Sequence, residues 1–445
     1  MRSVHFAIML TLVAGCQARR SESEAGLKSI QADQTLASSQ LLDSSGVLAD
    51  GAMSSIGAAI SGAKYVGIGE DVHLSHGLME LNFKVAKSLV VNNGFRSIVF
   101  ESDYFATALT NDFIQGKSVS LFDALKALGL YRSTDKAVVD FVIWCRSYNA
   151  AHPNGKIQFL GYDHQDAYAA GNVLRTFLRN NLSDADFSSV WADFTDVRGA
   201  TEITYANYLQ KQKTITYTAA NYLNHLNQIA RLGRFLNAHR SSWLRAGVPD
   251  GQYQNALWAL QSLEFATKVG LDYAKQDTVA AMASREAATA FIFLNRIVPA
   301  ASTGKAIVFA HNLHVGRLPN NYVLNRNSTP IPMPASFGQR ISEVLGQDYR
   351  VFLTMVYSVS GPRYQAYVTP PGSVQDVLNR QVNKAAFFPV DNMLDFWTTE
   401  KLFFAPDSSV PTTYRTIPSQ YADGIFWLPA STAAVEQAAN MLPNF

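Results

Sequence analysis

Only two cysteines, Cys16 and Cys145, occur in the 445 residues of this chain. That is too few for a disulfide framework or for a Cys-rich zinc or iron–sulfur site. Charge is scarce too: Asp, Glu, Lys and Arg make up 16% of the sequence, against about 25% in an average soluble chain. Disordered and solvating proteins are charge-rich and apolar-poor, so that class is excluded. Neither sign dominates, with 37 Lys and Arg against 35 Asp and Glu and a net charge of +2. Without a basic excess, no nucleic-acid partner is expected. Past the N-terminus no apolar run is long enough to cross a bilayer as a helix. A Gly-x-Ser-x-Gly elbow is missing, which disfavours a serine hydrolase of the usual α/β type. A His-Glu-x-x-His zinc motif is missing as well, and Gly67-Ile68-Gly69 fails the dinucleotide fingerprint because position 72 is Val. No internal repeat or low-complexity tract is present.

What is there begins with apolar material, 48% of the chain, enough for a sizeable core. The first residues read as an export signal: Arg2 gives a positive start, Phe6 to Val13 an apolar stretch, and Ala14-Gly15 small residues before a cut. Val13-Ala14-Gly15-Cys16 resembles the lipobox of bacterial lipoproteins, in which the Cys carries lipid; the plainer alternative is a secretory signal with an incidental Cys. Residues 1–20 are therefore expected to be a lipoprotein-type signal with Cys16 as lipidation site. Residues 21–45, rich in Ser, Gln and Ala, suit a flexible tether, and 46–435 a single domain. The expected location is the cell envelope, lipid-anchored to a bacterial membrane through Cys16. Cys145, within Phe141-Val142-Ile143-Trp144-Cys145, reads as a buried small hydrophobe.

Six short runs have the unbroken apolar character of fully buried strands: 65–69, 97–100, 157–161, 306–310, 351–356 and 425–428. Helical patterns lie between them, such as Leu78, Leu81, Val85 and Leu89 before an Asn93-Gly94 stop. This alternation predicts an α/β fold, a mostly parallel sheet flanked by helices. From about 166 to 300 the rhythm changes to helices alone, read as a helical insertion or cap on the sheet, or else a separate helical domain.

In open α/β sheets, ligands bind beyond the carboxyl ends of the strands. Four predicted strands end in ionisable residues there: Glu70, Asp71, His73 and His76; Glu101 and Asp103; Asp163, His164 and Asp166; His311 and His314. Of nine histidines, five fall at these ends. For His76 and His164 the ordinary reading is a solvated or backbone-satisfied loop residue. Glu70 and His73 form a different pattern, because a carboxylate three residues before a His in a tight loop holds the imidazole in one tautomer. Such a His suits general-base work on water, since histidine's ordinary pKa is about 6.5. Ser75 is a candidate N-cap for the helix that follows, whose free amides would steady an oxyanion. His311 and His314 would reach the same pocket, to hold an intermediate or a metal.

These residues resemble the erythromycin esterase family. Gly69-Glu70-Asp71-Val72-His73 is similar to that family's Gly-Glu-x-x-His loop, and Gly94-Phe95-Arg96 with the strand to Glu101 to its next block. Gly161-Tyr162-Asp163-His164-Gln165 resembles its Gly-Phe-Asp-x-Gln segment, and Ala310-His311-Asn312-Leu313-His314 its His-Asn-x-His segment. Pro370-Pro371-Gly372-Ser373-Val374 and Ala422-Asp423-Gly424-Ile425 are similar to its C-terminal blocks. The order holds from about 55 to 435. The resemblance implies hydrolysis of esters, in named members a macrolide lactone, with no obligatory metal or cofactor. It implies His73 as base and Glu70 as its support, with His311 and His314 facing the substrate. Arg96, Glu101, Asp163 and His76 would be substrate-binding or supporting. Arg285 stands where the family has an Arg-Asp pair, but Glu286 replaces the Asp and the pair is not counted in the site. Leu74 and Gly77 replace the family's Gly and Glu, which leaves the substrate open.

The leading expectation is thus a metal-independent hydrolase of a small-molecule ester or lactone. Two others stand beside it. One is a metal-dependent hydrolase or peptidase using the same His and carboxylate residues as ligands. The other is a non-enzymatic ligand-binding lipoprotein.

Overall fold

The structure, a computed structural model, describes residues 36–432 apart from 37, 74, 130–134, 165–166, 193–217, 302–303, 327, 361–368, 392–393 and 408–409. The signal, Cys16 and most of the expected tether lie outside the described residues.

Among the described residues, twelve strands form two sheets. They are β1 (Ser39–Gln40), β2 (Tyr65–Glu70), β3 (Ser97–Asp103), β4 (Gln158–Asp163), β5 (Ala306–His311), β6 (Tyr322–Arg326), β7 (Thr329–Met333), β8 (Tyr349–Ser360), β9 (Ala386–Pro389), β10 (Lys401–Asp407), β11 (Val410–Thr416) and β12 (Gly424–Thr432). The larger sheet runs β1-β9-β12-β8-β2-β5-β3-β4. From β12 to β4 every neighbour is parallel, and β9 and β1 extend it antiparallel. Five of the six apolar runs lie within parallel strands and the run 157–161 overlaps β4, most of their residues being buried from both sides as their unbroken character requires. The smaller sheet, β10-β11-β6-β7, is wholly antiparallel.

The helices that matter for the site are α1 (His76–Asn93), α2 (Lys136–Ala151), α3 (Tyr168–Asn181), α4 (Asp184–Ala192), α5 (Ala219–Arg245), α6 (Asp250–Ala274) and α7 (Thr278–Ile292). Side chains alternate across the sheet. Val66, Ile68, Ile98, Phe100, Ile307 and Phe309 face α1 and α2, where Phe83 and Phe141 stack at 4.4 Å between ring centres. Val99, Val308 and Ala310 face the other way, toward the end of α7 and the smaller sheet. Between β4 and β5 the described residues carry helices and no strand. Helices α3 to α6 bury a third apolar cluster of their own, including Leu174, Leu236, Tyr253 and Leu263.

Two glycines let the strand ends come together. A Cβ on Gly69 would stand 2.0 Å from Asn312 Oδ1, and one on Gly161 would stand 2.5 Å from the carbonyls of Ser102 and Asp103. Beside Gly161 the register of β3 shifts between Phe100 and Asp103. Such a bulge re-aims side chains, and it falls at Glu101.

Candidate active site

The carboxyl ends of β2, β3, β4 and β5 lie side by side, because β5 inserts between β2 and β3. Glu70 ends β2 and its carboxylate oxygen lies 2.9 Å from His73 Nδ1. An ionised carboxylate only accepts, so His73 carries its proton on Nδ1 and presents the basic lone pair on Nε2. Glu70 is buried, with 8% of its side chain exposed, whereas 43% of the His73 side chain is open to solvent. The inner side of Glu70 borders a pocket lined by Met79, Asn82, Phe83, Phe100 and Phe309. The result is an oriented imidazole reachable by water, on a carboxylate set in apolar surroundings.

His311, at the end of β5, has its ring centre 5.1 Å from that of His73 and 6.3 Å from that of His314. The Leu313 amide donates to its Nδ1 at 3.1 Å, and its Nε2 meets the Asp71 carbonyl at 3.1 Å. Both nitrogens are thereby committed in the neutral Nε2–H tautomer. Burial, with His73 and His314 nearby, holds its pKa well below the ordinary imidazole value. His311 is a wall of the site rather than a base.

His314 belongs to a buried charge network. Its Nδ1 meets Glu286, and its Nε2 lies 3.2 Å from Arg285 Nη1 and 3.7 Å from Glu101. Burial depresses its pKa most, but the Glu286 and Glu101 carboxylates together outweigh that and the net shift is upward. Arg285 joins the ends of two strands, with Nη2 at 2.6 Å from Glu101 and 2.7 Å from Asp163. Burial would raise the Asp163 carboxyl, yet the Arg285 charge holds it down at about 2. The second Glu101 oxygen accepts the His311 amide at 3.1 Å. Glu286 also accepts the Phe337 amide. Sequence reasoning set Arg285 and Glu286 aside. Their signal was present: they are the only charged pair in Val279-Ala-Ala-Met-Ala-Ser-Arg285-Glu286-Ala-Ala-Thr289, a helix of small residues.

The structure brings Glu70, His73, Glu101, Asp163, His311 and His314 to one edge of the sheet. Arg96 is a correction. It precedes β3 and so sits at the opposite end of that strand, where its guanidinium donates to the carbonyls of Val90 and Phe95 and lies over the Tyr148 ring. His76 starts α1 and pairs with Asp135 at 3.2 Å, with Glu80 beyond it at 4.0 Å. Asp135 in turn caps α2 through the Ala137 amide. His76 therefore ties two helix starts together rather than joining the Glu70–His73 pair. Nor is His164 a solvated or backbone-satisfied residue. It is fully buried against Phe265, neither ring nitrogen has a hydrogen-bond partner, and burial pulls its pKa down to about 4. Ser75 does stand at the N-cap of α1, but its hydroxyl pairs with Ser431, which also accepts the Gly77 amide. Less of that helix end is open than the sequence suggested. Among the described residues, no group of three or more His, Cys, Asp or Glu is arranged to hold a metal ion.

Comparisons with known proteins bear on the fold and on the family. Three solved structures share the fold. One, titled a succinoglycan biosynthesis protein, is 19% identical with a TM-score of 0.67, covering 86% of this chain and 91% of its own. Another, a Bacillus cereus protein, is 18% identical with a TM-score of 0.68, covering 86% and 92%. The third, a single-residue variant of the erythromycin esterase EreC in its open conformation, is 16% identical with a TM-score of 0.66, covering 90% and 99%. No curated protein sequence matches the chain. A family model described as erythromycin esterase matches residues 90–431, most of the chain from β3 onward, and the chain belongs to the erythromycin esterase family.

Proposed function

We propose that the protein hydrolyses carboxylic esters or lactones, with His73 as general base and Glu70 as the group that fixes its tautomer. The observation that carries this is the Glu70–His73 contact of 2.9 Å at the mouth of a parallel sheet, with one partner buried and the other exposed. His73 Nε2 takes a proton from water, and the hydroxyl oxygen adds to the ester carbonyl carbon. The bond from that carbon to the alkoxy oxygen then breaks, and the proton on His73 passes to the departing oxygen. The products are an acid and an alcohol, or one open hydroxy acid from a lactone. His314, held between Glu286 and Arg285, stands across His311 from the base and walls that side of the site. Family membership supports an ester substrate, with macrolide lactones the first to try.

The test is a panel of esters and lactones, macrolides included, offered to protein lacking residues 1–20, with and without a strong chelator. Turnover that survives the chelator is expected. Loss on chelation and return with added zinc or manganese would replace this reading with a metallohydrolase, and no turnover of any substrate would favour a binding protein.

We also propose that the chain is exported and lipid-anchored at Cys16, on the strength of Val13-Ala14-Gly15-Cys16 behind a charged and apolar leader. In a bacterial host the full chain is expected to enter the detergent-rich phase on phase separation and to take up labelled fatty acid. Cys16→Ser should abolish the label. Label that persists in that variant, or a full chain that stays aqueous, would refute anchoring at this residue.

A further inference from the structure

Asn82 breaks the pattern of its helix. It stands on the inward face of α1, between the buried Leu78 and Ala86, and is 3% exposed. A helix interior favours leucine over asparagine, and a buried amide is costly unless its groups are bonded. Its bonds are specific. Nδ2 donates to the Gly69 carbonyl at 3.2 Å, and Oδ1 accepts the Thr354 hydroxyl. A carbonyl can only accept, so the amide lies with its NH2 toward β2 and its oxygen toward β8. Thr354 in turn takes the Asp71 amide on its own carbonyl at 3.1 Å. The peptide groups before and after Glu70 are therefore both held, one by Asn82 and the other by Thr354.

Glu70 and Asn82 also line a common cavity of about 20 Å3. Its other lining residues are apolar, Met79, Phe83, Phe100, Val138 and Phe309 among them. One water needs at least about 10–15 Å3 and roughly two to four polar partners. An amide NH2 carries two N–H groups, and Gly69 takes one of them. An ionised carboxylate accepts at several positions, so the bond from Glu70 to His73 leaves it capacity for another donor.

We propose that this cavity is the site of one water molecule, which accepts from Asn82 and donates to Glu70. Asn82 is then a positioning residue: it does not touch the ester, but it steadies the carboxylate that orients His73. The relay runs from the Thr354 hydroxyl through the Asn82 amide and the water to Glu70 and His73, from the middle of the sheet to the exposed base. Its kinetic part rests on the hydrolase reading; the water itself does not.

The test is a crystal structure of protein lacking residues 1–20, with and without xenon under pressure. Density for one water within about 3.2 Å of both Asn82 Nδ2 and a Glu70 oxygen is expected, with no xenon in its place. A wholly apolar void stays dry and admits xenon, so xenon in the cavity, or the lack of a water bonded to both groups, would overturn the site. Val138→Ile adds a methyl group to the apolar wall and displaces the water while leaving the bonds of Asn82 to Gly69 and Thr354. It is expected to melt below wild type, by about 2 °C, because a methyl group cannot replace the hydrogen bonds of the water. Melting above wild type is the result of filling a dry void and would overturn the site as well. Given turnover, kcat of Val138→Ile should fall by about tenfold with KM unchanged, less than the roughly hundredfold cost of a misplacement of about 1 Å. Asn82→Leu should fall at least as far and melt lower still, since it also strips the Gly69 carbonyl and the Thr354 hydroxyl of their partner. A Val138→Ile protein that has lost the water and keeps wild-type kcat would remove the positioning role. A failure to turn over any ester would count against the hydrolase reading alone, since the density and the melting temperatures decide the water by themselves.

Discussion

His73→Ala is expected to lower kcat for ester hydrolysis by roughly a thousandfold, the middle of the range for a positioned general base. That corresponds to about 4 kcal/mol of activation free energy. The change should leave the melting temperature near wild type, because the His73 side chain is 43% exposed and contributes little to the core. Glu70→Gln makes a more specific test. A glutamine can still meet His73, but its NH2 face cannot accept the Nδ1 proton and its neutral oxygen supports an imidazolium poorly. Activity is expected to drop about a hundredfold or more by loss of orientation and of charge together. In both variants the fall should appear in kcat rather than in KM, since neither group is needed to hold the ground-state ester. A His73→Ala protein that keeps wild-type turnover would remove His73 from the mechanism, whatever the family.

The largest effect on stability is expected at Arg285. Arg285→Met keeps length and removes the charge between Glu101 and Asp163, both almost fully buried. Breaking a buried pair costs about 3–5 kcal/mol because the partner charges are left uncompensated, and here two carboxylates lose the same guanidinium. The loss should show as a lower urea midpoint with an unchanged slope. It should also depend on pH, with a sign fixed by Asp163. In wild type that carboxyl is held at about 2, below the ordinary value of about 3.9. Its contribution to stability is complete above the ordinary value and is lost as pH falls toward the folded value. The gap between wild type and variant should therefore narrow on acidification below about pH 4. Arg285→Lys, which restores a point charge without the planar fork, should recover part of the stability. A variant as stable as wild type at neutral pH would show that solvent reaches these carboxylates after all.

How far the sequence reached depended on how each element earns its burial. The parallel strands were legible because both of their faces are covered, which leaves runs such as Ala306–Ala310 with no polar break. The smaller sheet was not. β7 carries Pro330 and Pro332, β10 carries Pro406 and β11 carries Pro411, and prolines inside a run argue against a strand unless it lies at an edge or bulge. β9, at four residues, is too short to show an alternation. In the site, Glu70 and His73 were visible because their partnership is local, three residues apart. Glu101 and Asp163 were visible as strand ends. Their common partner was not, because Arg285 arrives from a helix 122 residues beyond Asp163, and no spacing rule links a strand end to a helix that distant. Arg96 misled for the converse reason, since adjacency in sequence to Glu101 hides the length of a strand between opposite edges of the sheet.

The Arg285 junction also orders the life of the chain in time. Glu101 waits 184 residues for its counter-charge, and the Asp71 carbonyl waits 240 for His311. Contacts this distant in sequence close late, after most of the loop entropy has been spent. A nascent or partly folded chain that ends short of His314 already contains the Glu70–His73 pair, yet it lacks the walls that would confine a substrate against it. On the proposed hydrolase reading, activity is therefore expected only once the sheet is complete, whatever route the chain takes while it is unfolded.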